Sequence, residues 1–175
     1  MGKVNAAVAA QGLIDLFAPQ AFLISGVGGS LCPQLRLMDL TVGQKCTHHD
    51  LPMDVIRADY PKMDSDWFEA DPRLLDLALR SNPGMVPAAY LTGEAFIDRE
   101  GRESLVERFG SQGNITCDME TAAVAQACRA AGVPFCCIRA ISDTEEERGL
   151  EVFWQNVAKA SAIAAAAVLK LLPEI

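Results

Sequence analysis

The segment Ile115–Asp143 constrains the fold of this chain more than any other part of the sequence. It reads ITCDMETAAVAQACRAAGVPFCCIRAISD: a short β-like run, a helix rich in small residues, and an apolar run over Pro134–Ile141. Two strands joined by one helix are expected to lie parallel, with their carboxyl ends at the same edge of a sheet. Open α/β proteins bind ligands at that edge. The segment therefore predicts a pocket bordered by Asp118, Glu120 and Asp143.

The rest of the chain continues this alternation of strands and helices. Residues 48–66 hold two prolines and no clean period, so they are expected to be irregular. The pattern favours one α/β domain over residues 1–175, with a parallel or mixed sheet of about five strands. Strands are predicted over Ala21–Ser25, Leu40–Cys46, Val86–Thr92, Ile115–Cys117 and Pro134–Ile141, and helices over Asn5–Phe17, Asp71–Arg80, Arg102–Phe109, Glu120–Ala131 and Leu150–Leu172.

Composition narrows the classes of function. Fifteen basic residues against 23 acidic ones give a net charge of −8, and no basic patch suited to nucleic acid is visible. The longest apolar stretch, Val157–Leu172, is dominated by alanine and contains Lys159 and Lys170, which favours a packed helix over a membrane span. The six cysteines lack the paired spacing of metal ligands. They are expected to be free, buried thiols of a cytoplasmic protein without a metal or cofactor.

The acids at the two strand ends suit hydrogen bonding to a diol and proton transfer. Asp118 and Glu120 can accept hydrogen bonds from a vicinal diol such as that of ribose, although an acid at this position can also simply start a helix. Met119 is either a wall for a sugar or core filler. Asp143, preceded by Ser142, is a candidate general acid if burial raises its pKa, or the cap of a helix running through residues 145–147.

Two further motifs carry weaker signals. The segment Ser25–Gly29, reading SGVGG, is expected to be a glycine-rich turn whose backbone approaches a ligand closely. It lacks the third glycine of a dinucleotide fingerprint and the lysine of a phosphate-binding loop. The cluster His48-His49-Asp50 lacks a third, spaced ligand, so a structural role that orders a loop near the site is favoured over a metal site.

With these motifs together, the chain resembles the nucleoside phosphorylase/nucleosidase superfamily, and within it the 5′-methylthioadenosine/S-adenosylhomocysteine nucleosidases. The resemblance implies a three-layer αβα fold with a central mixed sheet, a small-molecule adenine nucleoside as substrate, and a homodimer. The segments that carry it occur in the family's order and span nearly the whole chain: GKVNAA at Gly2–Ala7, SGVGGSL at Ser25–Leu31, HHD at His48–Asp50, TGEAFI at Thr92–Ile97, DMETAAVAQ at Asp118–Gln126 and VPFCCIRAISD at Val133–Asp143.

The same resemblance implies a role for each matching residue. Asp143 is the acid that protonates purine N7, and Ser142 holds its carboxyl group. Glu120 binds the ribose 2′- and 3′-hydroxyls, and Met119 packs on the sugar. The remaining positions form the adenine slot and the ribose side near the attacking water: Phe96 and Ile97 for the slot, Val27 and Gly28 for the ribose side.

Two departures from the family pattern affect the expected activity. The family segment before GKVNAA carries the Glu that activates water, and this sequence starts at Met1, so an N-terminally truncated fold with weak nucleoside binding and poor hydrolysis is expected. LPMDVIRADYPKM at Leu51–Met63 replaces the family's aromatic-containing stretch, which leaves a futalosine-like substrate open.

The attacking nucleophile is expected to be water. Related phosphorylases place an Arg for phosphate where this chain has Ile24, and the glycine-rich segment is not otherwise basic. A purine nucleoside phosphorylase and a non-catalytic nucleoside-binding paralogue remain as alternatives. A dinucleotide-binding Rossmann domain is not favoured, because the glycine-rich segment lacks the accompanying pattern of a ribose-binding acid.

Overall fold

The computed structural model describes residues 1–59, 65–144 and 149–175. Within them the chain forms six strands, six α-helices and two short 3-10 helices, the last two at Gly110–Gln112 and Leu172–Glu174. The strands are β1 (Phe22–Ser30), β2 (Leu40–His48), β3 (Phe68–Glu69), β4 (Val86–Thr92), β5 (Ile115–Asp118) and β6 (Phe135–Asp143). The helices are α1 (Lys3–Phe17), α2 (Met53–Asp59), α3 (Pro72–Ser81), α4 (Arg99–Phe109), α5 (Thr121–Ala131) and α6 (Gly149–Leu169).

The strands form one mixed sheet in the order β3-β2-β4-β5-β1-β6, which confirms the predicted fold class. The pairs β1–β6, β2–β4 and β4–β5 are parallel, whereas β1–β5 and β2–β3 are antiparallel. A further antiparallel contact between β2 and β6 links distant parts of the sheet. Helices pack on its faces: α5 against β2 and β4, and α6 against β6 and β1.

The predicted parallel relation between β5 and β6 is wrong. Strand β1 lies between them and runs parallel to β6 but antiparallel to β5. Their acids still reach one place, because Gly29 of β1 is in register with both Cys117 of β5 and Asp143 of β6. The carboxyl ends of β1, β5 and β6 therefore converge on a single point of the sheet.

Several predicted boundaries also change. The expected glycine-rich turn is part of β1, because β6 pairs with β1 through Gly28 and a bulge follows between Gly28 and Gly29. The stretch expected to be irregular contains helix α2, and the two-residue strand β3 was not predicted. Residues 60–64, in the segment that departs from the family, and residues 145–148, the alternative helix start after Asp143, lie outside the described residues.

Helix α6 packs through a face of small residues. The helical stretch Leu150–Glu174 is long and apolar enough to cross a membrane by length and composition. Within this stretch, Ala160, Ala164, Ala167 and Leu171 are buried, whereas most of its other residues are not. The small alanine side chains allow the helix to lie close to β6 and β1, where it supports the strand end that carries Asp143.

Candidate active site

A cavity of about 990 Å³ opens where β1, β5 and β6 converge. The inner face of α1 borders it on one side, and residues Ala95–Arg99 with the start of α6 border it on the other. Every site residue predicted from the sequence lies in its wall: Val27, Gly28, Phe96, Ile97, Asp118, Met119, Glu120, Ser142 and Asp143. A cavity of this size suits a small organic ligand such as a nucleoside.

Asp143 ends β6 with its carboxyl group largely enclosed. Burial raises the pKa of Asp143 above its ordinary value, since a low-dielectric environment disfavours the charged form. The Ser142 hydroxyl donates a hydrogen bond of 2.6 Å to Oδ1 and opposes part of that shift. The result is a carboxyl group that keeps its proton to a higher pH than a solvated aspartate, as a general acid requires.

Gly29 makes room for the Asp143 carboxyl group. A Cβ atom at position 29 would lie 2.7 Å from Asp143 Oδ2 and 2.9 Å from Cys117 Sγ, both closer than real Cβ contacts. Any side chain here would push the acid or the neighbouring strand away. The glycine-rich segment therefore serves the site by letting β1 pass close beside Asp143.

Asp118 fixes the start of α5. Its buried Oδ1 accepts hydrogen bonds from Thr92 Oγ1 at 2.8 Å and from the backbone N–H groups of Glu120 and Thr121 at 3.0 Å each. These contacts satisfy N–H groups that a helix terminus leaves unpaired. The helix-start role that the sequence left open thus belongs to Asp118.

Glu120 holds the N-cap position of α5 but its side chain makes no cap hydrogen bond. Its carboxylate turns toward the cavity wall instead. Oε1 accepts the Gly2 N–H at 3.0 Å, and Oε2 accepts Arg139 Nη2 at 3.3 Å. This half-buried carboxylate has two fixed donors and remaining lone pairs, so it can accept hydrogen bonds from a diol.

Arg139 is the main site residue that the sequence analysis missed. It lies on β6, is 4% exposed, and its Nε is 3.2 Å from Asp118 Oδ2 while donating a hydrogen bond of 3.0 Å to Thr121 Oγ1. Nη1 donates to the Val27 carbonyl at 2.5 Å. Burial acts to lower the pKa of Arg139, but Asp118 and Glu120 outweigh it and the pKa is raised. The cation therefore joins both acids to β1.

The sequence around Arg139 does indicate that its side chain is paired with acids. A lone arginine within an otherwise apolar, fully buried strand has to be paired, because an uncompensated buried charge is costly. The run Phe135–Asp143 contains one such residue, and the two acids of the preceding motif were its natural partners.

Aromatic side chains form the outer wall of the cavity. Phe96 is 41% exposed and packs edge-to-face on Phe153 of α6, with ring centroids 5.3 Å apart. Ile97 and Met119 are half-buried in the same wall. Phe153 was not predicted, since nothing in the local sequence of α6 links it to residue 96. The pair offers an apolar surface to a planar base.

The cluster His48-His49-Asp50 does not border the cavity in the described part of the chain. His48 Nε2 lies 3.1 Å from Gln126 Oε1, and burial lowers the pKa of both histidines. No group of three or more metal-binding side chains occurs among the described residues. Asp50 instead contacts Lys3 and Glu94. These contacts lie beside the site, and a structural role remains the prediction for the cluster.

Comparison with known proteins identifies the family. The sequence profile of the Phosphorylase superfamily matches residues 1–173. The chain belongs to this superfamily. A 5′-methylthioadenosine/S-adenosylhomocysteine nucleosidase of Hydrogenovibrio crunogenus is 32% identical over the whole chain and 78% of its own length. This identity and coverage place the chain among the 5′-methylthioadenosine/S-adenosylhomocysteine nucleosidases of the superfamily.

Solved structures of the superfamily agree with the fold. The Neisseria meningitidis 5′-methylthioadenosine/S-adenosylhomocysteine nucleosidase in complex with methylthio-immucillin-A aligns with a TM-score of 0.90 at 28% identity, covering 100% of this chain and 78% of that one. The futalosine hydrolase of Helicobacter pylori aligns with a TM-score of 0.89 at 28% identity, covering 100% and 77%. The overall fold is thus shared by both types of hydrolase.

Proposed function

We propose that this nucleosidase hydrolyses the N-glycosidic bond of 5′-methylthioadenosine or S-adenosylhomocysteine and releases adenine. The observation that supports it most is the pairing of a buried acid of raised pKa, Asp143, with a fixed carboxylate, Glu120, in one cavity. Cleavage passes through an oxocarbenium-like state, so protonating the base and holding the sugar are the two main tasks.

Asp143 delivers the proton to the departing base. A purine leaves more readily when N7 is protonated, because the leaving group is then neutral rather than anionic. Ser142 holds Oδ1, which leaves Oδ2 beside Gly29 to carry and transfer the proton. Ser142 thereby orients the acid, and the hydrogen bond it donates keeps the pKa of Asp143 from rising further.

In this proposal the sugar and the base contact different parts of the cavity wall. Glu120 accepts the ribose 2′- and 3′-hydroxyls, and Met119 packs against the sugar. Phe96 and Ile97 form the slot for adenine, with the Phe153 ring completing it. Val27 and Gly28 line the ribose side, where Arg139 holds the Val27 carbonyl. Asp118 acts indirectly, by orienting the backbone from which Glu120 projects.

Water is the attacking nucleophile in this proposal. Phosphate binding needs cations that are not already engaged. Of the described cations in the cavity wall, Arg139 pairs with Asp118 and Glu120, Arg99 pairs with Glu103, and Arg102 donates to the Leu31 carbonyl. Ile24, the position corresponding to a phosphorylase arginine, is a buried apolar side chain.

Release of adenine from 5′-methylthioadenosine, followed by chromatography with and without added phosphate, tests this assignment. We expect adenine and a free 5′-methylthioribose, at a rate that phosphate does not change. Strict dependence on phosphate, with a sugar 1-phosphate as product, would show a phosphorylase instead. Absence of adenine alongside tight binding of the nucleoside would show a non-catalytic binding protein.

A futalosine-type nucleoside is the second candidate substrate, because the Helicobacter pylori futalosine hydrolase shares the fold at a TM-score of 0.89. The same catalytic residues would serve it, and only the pocket for the 5′-substituent would differ. Comparing kcat/KM for futalosine and 5′-methylthioadenosine decides between the two. We expect the methylthio compound to be preferred.

We also propose a cytoplasmic homodimer. Helix α1 leaves four large apolar side chains exposed: Val4 (73%), Val8 (69%), Leu16 (78%) and Phe17 (71%). A second copy of the chain would cover such a patch. All six cysteines are free thiols, which suits a reducing compartment. Light scattering coupled to size-exclusion chromatography is expected to give twice the mass of 18.8 kDa.

A further inference from the structure

Three residues to which the catalytic scheme gives no role meet in a closed ring beside the cavity. Lys3 Nζ lies 2.6 Å from Asp50 Oδ1. Asp50 Oδ2 accepts the backbone N–H of Glu94 at 3.0 Å. Glu94 Oε1 accepts the backbone N–H of Lys3 at 2.8 Å. One residue each from the GKVNAA, HHD and TGEAFI segments thus forms the ring Lys3–Asp50–Glu94.

The ring holds the residue that contacts Glu120. Gly2 immediately precedes Lys3 and donates its N–H to Glu120 Oε1 at 3.0 Å. Gly2 has a φ of 100°, a conformation that favours glycine, and a Cβ atom there would lie 3.0 Å from Glu94 Oε2. The start of α1 is therefore fixed by both the ring and the backbone conformation, and the N–H of its N-cap residue, Gly2, points at Glu120.

Among the ion pairs of the described residues, the Lys3–Asp50 pair is better shielded than those on the helix surfaces. The exposed fractions of its side chains are 13% and 29%, against 63% and 67% for the Arg80–Asp76 pair on α3. Burial acts to raise the pKa of Asp50, but the hydrogen bonds from Lys3 and Glu94 outweigh it and the pKa is lowered. A shielded pair with additional hydrogen bonds holds its geometry more firmly than an exposed one.

We propose that Lys3, Asp50 and Glu94 are positioning residues that set the orientation of the Glu120 carboxylate and thereby the affinity of the site for ribose. The ring reaches Glu120 through the Gly2 N–H, and Arg139 holds the opposite oxygen. This inference rests on the proposed role of Glu120 in sugar binding. It gives the HHD motif a function in ligand recognition although the motif lies outside the cavity.

The test compares two ligands that share the adenine base and differ in the presence of the methylthioribose. Because the unmodified chain is proposed to cleave the nucleoside, dissociation constants for 5′-methylthioadenosine and for free adenine are measured by isothermal titration on the full chain carrying Asp143→Asn, with and without Asp50→Asn. Asn at position 50 keeps an acceptor for the Glu94 N–H but removes the charge that holds Lys3. We expect Asp50→Asn to weaken binding of the nucleoside about 5- to 10-fold, on the scale of one ordinary hydrogen bond, and to leave the affinity for adenine within about twofold.

A double-mutant cycle shows whether the effect passes through Glu120. Once Glu120→Gln has removed the carboxylate, adding Asp50→Asn is expected to cause no further loss of nucleoside affinity. Lys3→Met keeps the backbone N–H and the length of the side chain, and it is expected to reproduce Asp50→Asn. Asp76→Asn, which breaks the exposed pair on α3, serves as the matched control and is expected to change neither affinity.

Three outcomes would overturn the inference. Equal losses for adenine and nucleoside would show that the ring acts on the Phe96 loop rather than on Glu120. Full additivity with Glu120→Gln would show that the two act separately. Unchanged affinities in both Asp50→Asn and Lys3→Met would show that the ring does not position the site. If the chain without the Asp50, Lys3 or Glu120 substitutions binds neither ligand, the proposed function itself fails. That result is distinct from the three outcomes above, because it does not depend on those variants.

Discussion

Replacing Asp143 with Asn is expected to lower kcat for adenine release about 100- to 10,000-fold, the usual contribution of a general acid. The amide has nearly the same shape and can still accept the Ser142 hydroxyl, so the cavity is retained. It cannot deliver a proton to the base. The affinity for 5′-methylthioadenosine is expected to change little, because Glu120 and the aromatic wall still bind the substrate.

Measuring the folding stability of Asp143→Asn distinguishes a loss of catalysis from a structural defect. Because the fold raises the pKa of Asp143, its stabilising contribution is present at low pH and is lost as pH rises through the folded-state pKa. A neutral Asn is therefore expected to unfold at the same or a higher temperature than the unmodified chain at neutral pH. Thermal unfolding followed by circular dichroism measures this, with Asp76→Asn as an exposed control. A kcat within about threefold of the original would contradict the role of Asp143.

Replacing Arg139 with Met is expected to reduce the free energy of unfolding by about 3–5 kcal/mol, the cost of leaving buried charges without a partner. Asp118 and Glu120 would both lose their cation. The Val27 carbonyl and the Thr121 hydroxyl would lose a donor. Methionine fills similar volume, so the expected loss comes from the charges rather than from a cavity.

Urea unfolding of Arg139→Met and Arg139→Lys measures this effect. Lysine keeps the positive charge but cannot reach all the partners of a planar guanidinium. The free energy of unfolding of Arg139→Lys is therefore expected to lie between those of the unmodified chain and Arg139→Met. Arg80→Met breaks an exposed pair on α3 and is expected to change the free energy by no more than about 0.5 kcal/mol. A loss below about 1 kcal/mol for Arg139→Met would show that Asp118 and Glu120 do not depend on it.

The acids of the site were predictable from the sequence because each lies at the end of a short apolar run. An apolar run and the acid that ends it are neighbours in sequence, so this pattern is local. Asp118, Glu120 and Asp143 do line one cavity. The predicted reason was wrong, since β1 inserts between β5 and β6 and runs antiparallel to β5. Strand order and direction depend on pairings between distant segments, and no local period reports them.

At β1 the local sequence favours a structure that the fold does not adopt. Glycines favour turns, but here β6 supplies a continuous partner, and the absence of side chains lets Asp143 approach Gly29. Tertiary pairing outweighs the local preference. Phe153 was missed for a different reason: it meets Phe96 across 57 positions of sequence (153 − 96), and only the packing of α6 brings them together.

The central claim is that Asp143 acts in its protonated form, and the pH dependence of single-turnover adenine release tests it most directly. Because the acid form is required, the rate is expected to fall as pH rises through the raised pKa of Asp143, about tenfold per pH unit on the alkaline side. In Asp143→Asn that decline should disappear and leave a slow, nearly flat profile. The same decline in both proteins would contradict the account, because another group would then supply the proton.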